Sequence, residues 1–370
     1  MDKMKNILSD DFIWYSSFME REKYNRMVSP KNTSDILLQK RAEIISNSTR
    51  LLRIFIHYRN IFTHKNPNKE WDFENVFDTT HYDFFISNVS VEIKNKIKGI
   101  SYGDLYSNDP NGMIMKTVHD PLITLDSSLD YFLKYSNLAL MSEKFEVPYR
   151  IRKNGLFIAY RVMRKYEALD FDFDPRGKIP KTIDHIINSM VFWQKVFITG
   201  HEFSHYLLGH LNNSNLKEMK LFMSSEEVTT FKVYNYMQQQ EFDADIHALK
   251  LLEMSNVNYN DYGDSVIMWF CNLSIFEGAL EYTNPKIGYR RSTHPTGKER
   301  LKNVFDFLKT KLNLDDDYYI SLLTVIDKYV KVMHTELALS IDELEKYGSL
   351  YLDKPNTKWR GRERIDRVDY

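Results

Sequence analysis

A single cysteine, Cys271, stands among 370 residues, so no intrachain disulfide can form and the chain reads as cytosolic. A surplus of basic charge is missing too. Lys plus Arg is 50 against 51 for Asp plus Glu, which excludes a protein built mainly to coat nucleic acid; no stable nucleic-acid binding is expected. Long apolar runs are absent. The longest, Ser265 to Leu280, is broken by Asn272, Ser274 and Glu277, so no transmembrane segment is expected. The opening Met1-Asp-Lys-Met-Lys leads into a mixed polar stretch without the apolar core of a signal peptide. No Gly-rich phosphate loop occurs, which argues against a nucleotide-driven machine, and no repeat stands out. What is present is ordinary bulk: 43% hydrophobic and 27% charged residues, near the globular average, with 24 Tyr and 23 Phe to fill a large core. These figures predict a soluble intracellular globular protein.

The pattern along the chain predicts an α+β protein, mainly helical, with a mixed α/β N-terminal region over 1–178. A helical core occupies 179–312, and C-terminal helices with a basic tail fill 313–370. Apolar residues at helical spacing predict a helix over Thr33 to Tyr58. Met113 to Val118, Pro121 to Leu125 and Leu156 to Val162 read as strands, and Asp126 or Ser127 can cap a helix running through Met141. Asp170 to Gly177 reads as a loop and marks the boundary between the first two regions. Beyond it, a helix capped by Thr182 continues to about Leu211. Ser224 to Glu227 fits a capping box that opens a second helix, to about Met254. Asp264 to Tyr282 is a third and largely buried helix, and Thr296-Gly-Lys-Glu299 caps a fourth. In the tail, Lys354 to Arg367 carries basic residues around Trp359, diluted by Asp353, Glu363, Asp366 and Asp369; a solvated end is the expectation.

The segment that carries chemistry is His201-Glu202-Phe203-Ser204-His205. Residues four apart on a helix share a face, so both imidazoles can bind one metal ion, while Glu202 sits about 100° around and can reach water beside it. Two histidines and a glutamate also meet at this spacing by chance, so the motif takes its weight from the carboxylates and histidine downstream of it. A catalytic zinc needs a third protein ligand. The next helix offers Glu241-Phe-Asp-Ala-Asp245, where Asp245 lies about 40° from Glu241 and Asp243 about 200° away. Ala244 and Ala248 flank the two carboxylates and let the helices approach. Glu241 is the natural third ligand, and Asp245 is placed to accept the free N–H of a ligand histidine. An acidic solvated face is the competing reading of this stretch. In Thr293-His294-Pro295, the proline holds His294 extended just before a helix, where it could donate to an oxyanion, although such a junction is more often only a turn. On the His201 wheel, His210 falls about 180° away and reads as a C-terminal cap rather than a ligand. Cys271, beside Trp269 and Phe270, reads as a buried small hydrophobe.

The three pieces in this order resemble the gluzincin metallopeptidases, with their H-E-x-x-H, E-x-x-A-D and T-H-P…R series. The nearer resemblance is to the Lit-type phage-exclusion peptidases, which share a histidine after the metal pair (His210 here), an E-x-x-A-D-x-H-A stretch (Glu241 to Ala248) and a T-H-P segment. The resemblance runs from Val191 to Leu301. It implies a zincin-like fold and a zinc-dependent endopeptidase, with His201, His205 and Glu241 binding Zn2+ and Glu202 as general base. It further implies that His294 stabilises the transition state and that Arg300 orders the site. The implied substrate is a protein, and the resemblance suggests phage defence by cleaving a host translation elongation factor, with a regulatory protein or phage-derived trigger as partner. Two other readings stand beside it: a regulatory peptidase that cuts a repressor or antitoxin, and a non-hydrolytic sensor that keeps zinc as a structural clip. The presence of Glu202 argues against the last, since a structural site has no need of a base.

Overall fold

The computed structural model describes residues 12–107, 109–141, 145–212, 216–220, 230–234, 238–253, 255, 257–283, 295–345 and 349–353. Three helices, α1 (Arg21–Val28), α2 (Thr33–Ser46) and α3 (Thr49–Lys65), enclose an apolar cluster around Phe18, Leu38, Ile54, Phe55 and Phe73. The helix expected to run unbroken from Thr33 to Tyr58 is two helices. Ser48 interrupts it, because its hydroxyl accepts from the Leu51 N–H (3.3 Å) and caps α3. Helices α4 (Thr80–Asn88) and α5 (Val91–Ile97) lead into strands β1 (Ser101–Tyr102), β2 (Gly112–Lys116) and β3 (Pro121–Leu125). β2 and β3 are antiparallel with Ile114 opposite Ile123, and β1 lies parallel to β3. β3 is buried on both faces from Leu122 to Leu125, which explains its unbroken apolar reading.

Asp126 ends β3, and its carboxylate accepts from the Ser128 N–H (2.9 Å) at the start of α6 (Ser128–Met141). Next comes α7 (Tyr149–Met163), which occupies the place of the expected strand over Leu156 to Val162. The difference has a physical cause: every residue from Gly155 to Val162 is buried, so no polar face interrupts the run, and a short apolar run does not distinguish a buried helix from a strand. Even Arg161 is buried there, paired with Glu167 (2.8 Å).

The element that organises the site is α8 (Lys181–Leu207). It starts after Pro180 with no side-chain cap, so Thr182 does not serve as the expected one, and it contains no proline. It packs on β2, β3, α4 and α6 and on two later helices, α9 (Gln238–Glu253) and α10 (Tyr259–Thr283). Phe203 stacks on Phe85 of α4 at 5.3 Å between ring centroids, and both rings are fully buried; each contributes about 1.5–3 kcal/mol by leaving water. Between α8 and α9 the chain contributes strands β4 (Leu216–Lys220) and β5 (Thr230–Tyr234), completing the sheet order β1-β3-β2-β5-β4. The helix expected from the Ser224 capping box to Met254 therefore begins only at Gln238; the box itself lies outside the described residues. Thr230, Phe231, Val233 and Tyr234 are β-formers, and pairing with both β2 and β4 overrides the helical reading.

Helix α11 (Gly297–Lys311) opens with the expected capping box: the Glu299 N–H donates to Thr296 Oγ1 (3.2 Å) while the Thr296 N–H donates to Glu299 Oε2 (2.7 Å). The last helix is α12 (Asp316–Glu345). One apolar cluster, including Cys271, joins residues from Tyr82 to Leu352. The architecture is mainly helical α+β. Among the described residues no helix is long and apolar enough to cross a membrane.

Candidate metal centre

His201 and His205 lie on the last two turns of α8, on the face that meets α9. Three small residues make that contact close. A β-carbon added at Gly200 would lie 2.9 Å from the Phe85 ring and 3.5 Å from Ala248 Cβ, and Ala244 and Ala248 are fully buried. Because α9 starts before Glu241, its wheel is the expected one: Glu241 and Asp245 are buried toward α8, while Asp243 is exposed and accepts from Gln239 Nε2 (2.9 Å).

Three ligand-type atoms converge. His201 Nε2 lies 3.0 Å from His205 Nε2 and 3.5 Å from Glu241 Oε2, and His205 Nε2 lies 3.8 Å from Glu241 Oε1. Among the described residues this is the one group of His, Cys, Asp and Glu that could hold a metal ion. The donor set fits zinc. Tetrahedral ligands at about 2.0–2.2 Å from zinc stand roughly 3.3–3.5 Å from each other, close to the separations found here. Charge agrees as well. Glu202, Glu241 and Asp245 bring three carboxylates into one buried site, and a dication can offset their charge where the metal-free chain relies on Arg300 and a protonated His201.

Around the triad, partners fix the side chains. Asp245 Oδ1 sits 2.9 Å from His201 Nδ1, so that nitrogen donates and Nε2 turns its lone pair to the centre. Arg300 reaches in from α11 and grips Asp245 with two hydrogen bonds, Nε to Oδ2 (2.8 Å) and Nη2 to Oδ1 (2.6 Å). Its Nη1 is 3.2 Å from Glu241 Oε2, and its guanidinium lies over Phe270. In the metal-free chain, burial works against a charge on His201, but hydrogen bonds to Asp245 and Glu241 prevail and hold its value near about 9. His205 is pushed the other way, by burial first and then by His201.

Glu202 faces the sheet. The Ile114 N–H of β2 donates to its carboxylate, while Oε2 is buried with no hydrogen-bond partner among the described residues. Gly112 is required here: a β-carbon on it would come within 2.7 Å of Ile198 and 3.4 Å of Glu202 Oε1. Burial pushes the Glu202 carboxyl up to about 7, opposed by His201 and reinforced by Glu241.

His294 lies outside the described residues. His210 is placed differently from the expected cap. α8 stops at Leu207, Gly209 takes a left-handed φ of 73°, and the chain doubles back so that His210 Nδ1 lies 2.8 Å from His205 Nδ1. A helix continued to Leu211 would have put His210 on the opposite face. The signal that marks the turn is Gly209 itself, since a glycine just past the last apolar turn is the common helix stop. Two further contributors, the Ile114 N–H and the bare Gly112 backbone, carry no side-chain signature at all. Glu277, an isolated carboxylate in an apolar helix, accepts from the Gly297 N–H (2.8 Å) and so holds the start of α11, the helix that bears Arg300.

A family profile described as Peptidase U49 matches residues 170–323, the stretch that holds α8, α9, α10 and α11 with every described residue of the triad, Glu202, Asp245 and Arg300. The match supports a peptidase family for that stretch. Neither the curated proteins nor the solved structures include a match to the chain.

Proposed function

We propose that the chain is a zinc-dependent endopeptidase of the gluzincin type, in which His201, His205 and Glu241 hold the ion. The observation that carries this reading is the buried Glu202 Oε2, without a hydrogen-bond partner among the described residues and beside three converging ligand atoms. A structural zinc site has no use for such a group. Bound zinc supplies Lewis acidity and brings the pKa of water toward neutrality. Glu202 Oε2 takes the proton of the attacking water and later delivers it to the leaving amine. The Ile114 N–H donates to the same carboxylate, so the base is oriented before substrate arrives. Asp245 keeps His201 in the ligating tautomer, and Arg300 ties Asp245 to Glu241. His294 is assigned the stabilising of the oxyanion by resemblance alone.

The substrate is an extended segment of a protein. β2 pairs with β3 along its whole length and, among the described residues, with β5 at Met115 and Lys116. Gly112 to Ile114 runs beside Glu202, where an extended peptide could lie along the strand. The resemblance further suggests a cytoplasmic role in phage defence, with a host translation elongation factor as target and a regulatory or phage-derived trigger. In this reading 1–178 recognises the substrate or restrains the protease.

The test compares, by mass spectrometry, cell lysate incubated with the wild type and with Glu202→Gln. New peptide termini with wild type alone are expected, while the variant keeps its zinc. Equal cleavage by both proteins, or no cleavage by zinc-loaded wild type in any lysate, would sink the hydrolytic reading.

A further inference from the structure

We propose that His210 is a positioning residue that fixes the tautomer of His205, an inference that rests on the zinc-peptidase reading of the site. The Nδ1 atoms of the two rings lie 2.8 Å apart, a hydrogen-bond length, so one nitrogen carries the proton and the other accepts it. Which does which is settled by the far side of His205. Its Nε2 faces His201 Nε2 at 3.0 Å and Glu241 at 3.8 Å, where a metal ligand must present a lone pair. The proton of neutral His205 therefore sits on Nδ1 and is donated to His210 Nδ1, and the proton of His210 sits on its Nε2.

The two imidazoles are thus oriented by partners of different charge. His201 donates to Asp245, a carboxylate tied down by Arg300, whereas His205 donates to a neutral ring. A second carboxylate in that place would add negative charge to a site that already holds Glu202, Glu241 and Asp245. His210 is buried, and it reaches its place only through the left-handed turn at Gly209. The turn and the ring therefore act as one device: the chain places a helix stop directly after its second ligand and uses it to bring an acceptor back beneath that ligand.

Two measurements decide the matter. Nitrogen NMR of zinc-loaded wild type should find His205 protonated at Nδ1 and His210 protonated at Nε2. Zinc affinity, by competition with a chromophoric chelator, should fall roughly 10–100-fold in His210→Ala and in His210→Phe, the size usual for losing the partner of a metal-bound histidine. His210→Gln, whose amide oxygen can accept the same proton, should recover most of the loss. A wild-type His210 that carries its proton on Nδ1, or unchanged affinity in both the Ala and Phe variants, overturns the inference while leaving the zinc centre standing. Wild type that binds no zinc overturns the centre and the role of His210 together.

Discussion

Two buried ionic clusters in this chain look alike in composition and differ in arrangement. At the candidate metal centre, His201, His205 and Glu241 aim three ligand-type atoms at one point, and Glu202 Oε2 has no hydrogen-bond partner among the described residues. In the loop after α7, Arg176 is fully buried and its guanidinium is matched atom by atom: Nε to Glu167 (3.1 Å), Nη2 to Asp170 (2.7 Å) and Nη1 to Asp174 (3.2 Å). Arg161 takes the other oxygen of Glu167 at 2.8 Å, and Tyr351 donates to Asp174 at 2.8 Å. Donors there meet acceptors. Convergence of like atoms costs folding free energy unless something arrives to satisfy them, so it marks a site; complementarity satisfies itself and marks a joint. Burial alone separates neither from the other.

The largest expected effect belongs to the joint. Arg176→Met removes the guanidinium that Asp170 and Asp174 share and leaves buried carboxylates uncompensated, which costs about 3–5 kcal/mol. The same variant should bind zinc as tightly as wild type while folded, because Arg176 makes its contacts with the loop carboxylates and not with the centre. Urea unfolding and zinc titration of one preparation check both halves. A variant as stable as wild type would break the comparison, since the loop's complementarity would then not hold it in place.

How much of this is legible in the sequence depends on the range of the interaction. The His201–His205 pair needs only helical spacing, and the Glu241–Asp245 face needs only a helix that begins before Glu241, as α9 does. The Thr296 capping box is equally local. What stays illegible involves the chain turning or being buried on every side. His210 departs from its expected place because α8 stops at Leu207 rather than near Leu211. α7 reads as a strand because it has no polar face over its second half, and β5 replaces the start of an expected helix because strand partners are distant in sequence. The Ile114 N–H that orients Glu202 is a backbone atom, invisible to any reading of residue types.

A smaller set of effects sharpens the comparison within the candidate metal centre. Glu241→Ala removes one of three converging atoms and should abolish zinc binding at micromolar metal. Asp245→Ala leaves all three but removes the acceptor of His201 Nδ1 and leaves Arg300 with Glu241, so affinity should fall roughly 10–100-fold. Asp243→Ala, on the exposed side of α9, should change stability by no more than about 0.5 kcal/mol and leave affinity alone. Isothermal titration of the three variants gives the order. If Asp243→Ala strips the metal and Glu241→Ala does not, the ligand assignment is wrong.

The smallest effect concerns a pair that belongs to neither class, Lys40 and Glu43 of α2. At Arg176 burial opposes the charge but the surrounding carboxylates outweigh it, so its value is raised. In α2 burial wins on both sides: it pushes Lys40 down to about 8 against the pull of Glu43, and Glu43 up to about 7 against the pull of Lys40. The consequence for Glu43 has a definite sign. Its folded value lies above the value of about 4.3 for an unfolded glutamate, so across that window the folded chain holds a proton that the unfolded chain has released. The stability it contributes is present in full below about pH 4 and is lost as pH rises through about 7. Glu43 keeps partial contact with water, and screening holds the effect below about 1 kcal/mol. Replacing it by glutamine removes the titration, so the stability of Glu43→Gln relative to wild type should grow between about pH 4.5 and 7.5. Urea midpoints for both proteins across that range measure the difference directly. A difference that stays constant with pH would show that the partners, not burial, govern this pair, and would place it with Arg176 among the self-satisfied joints.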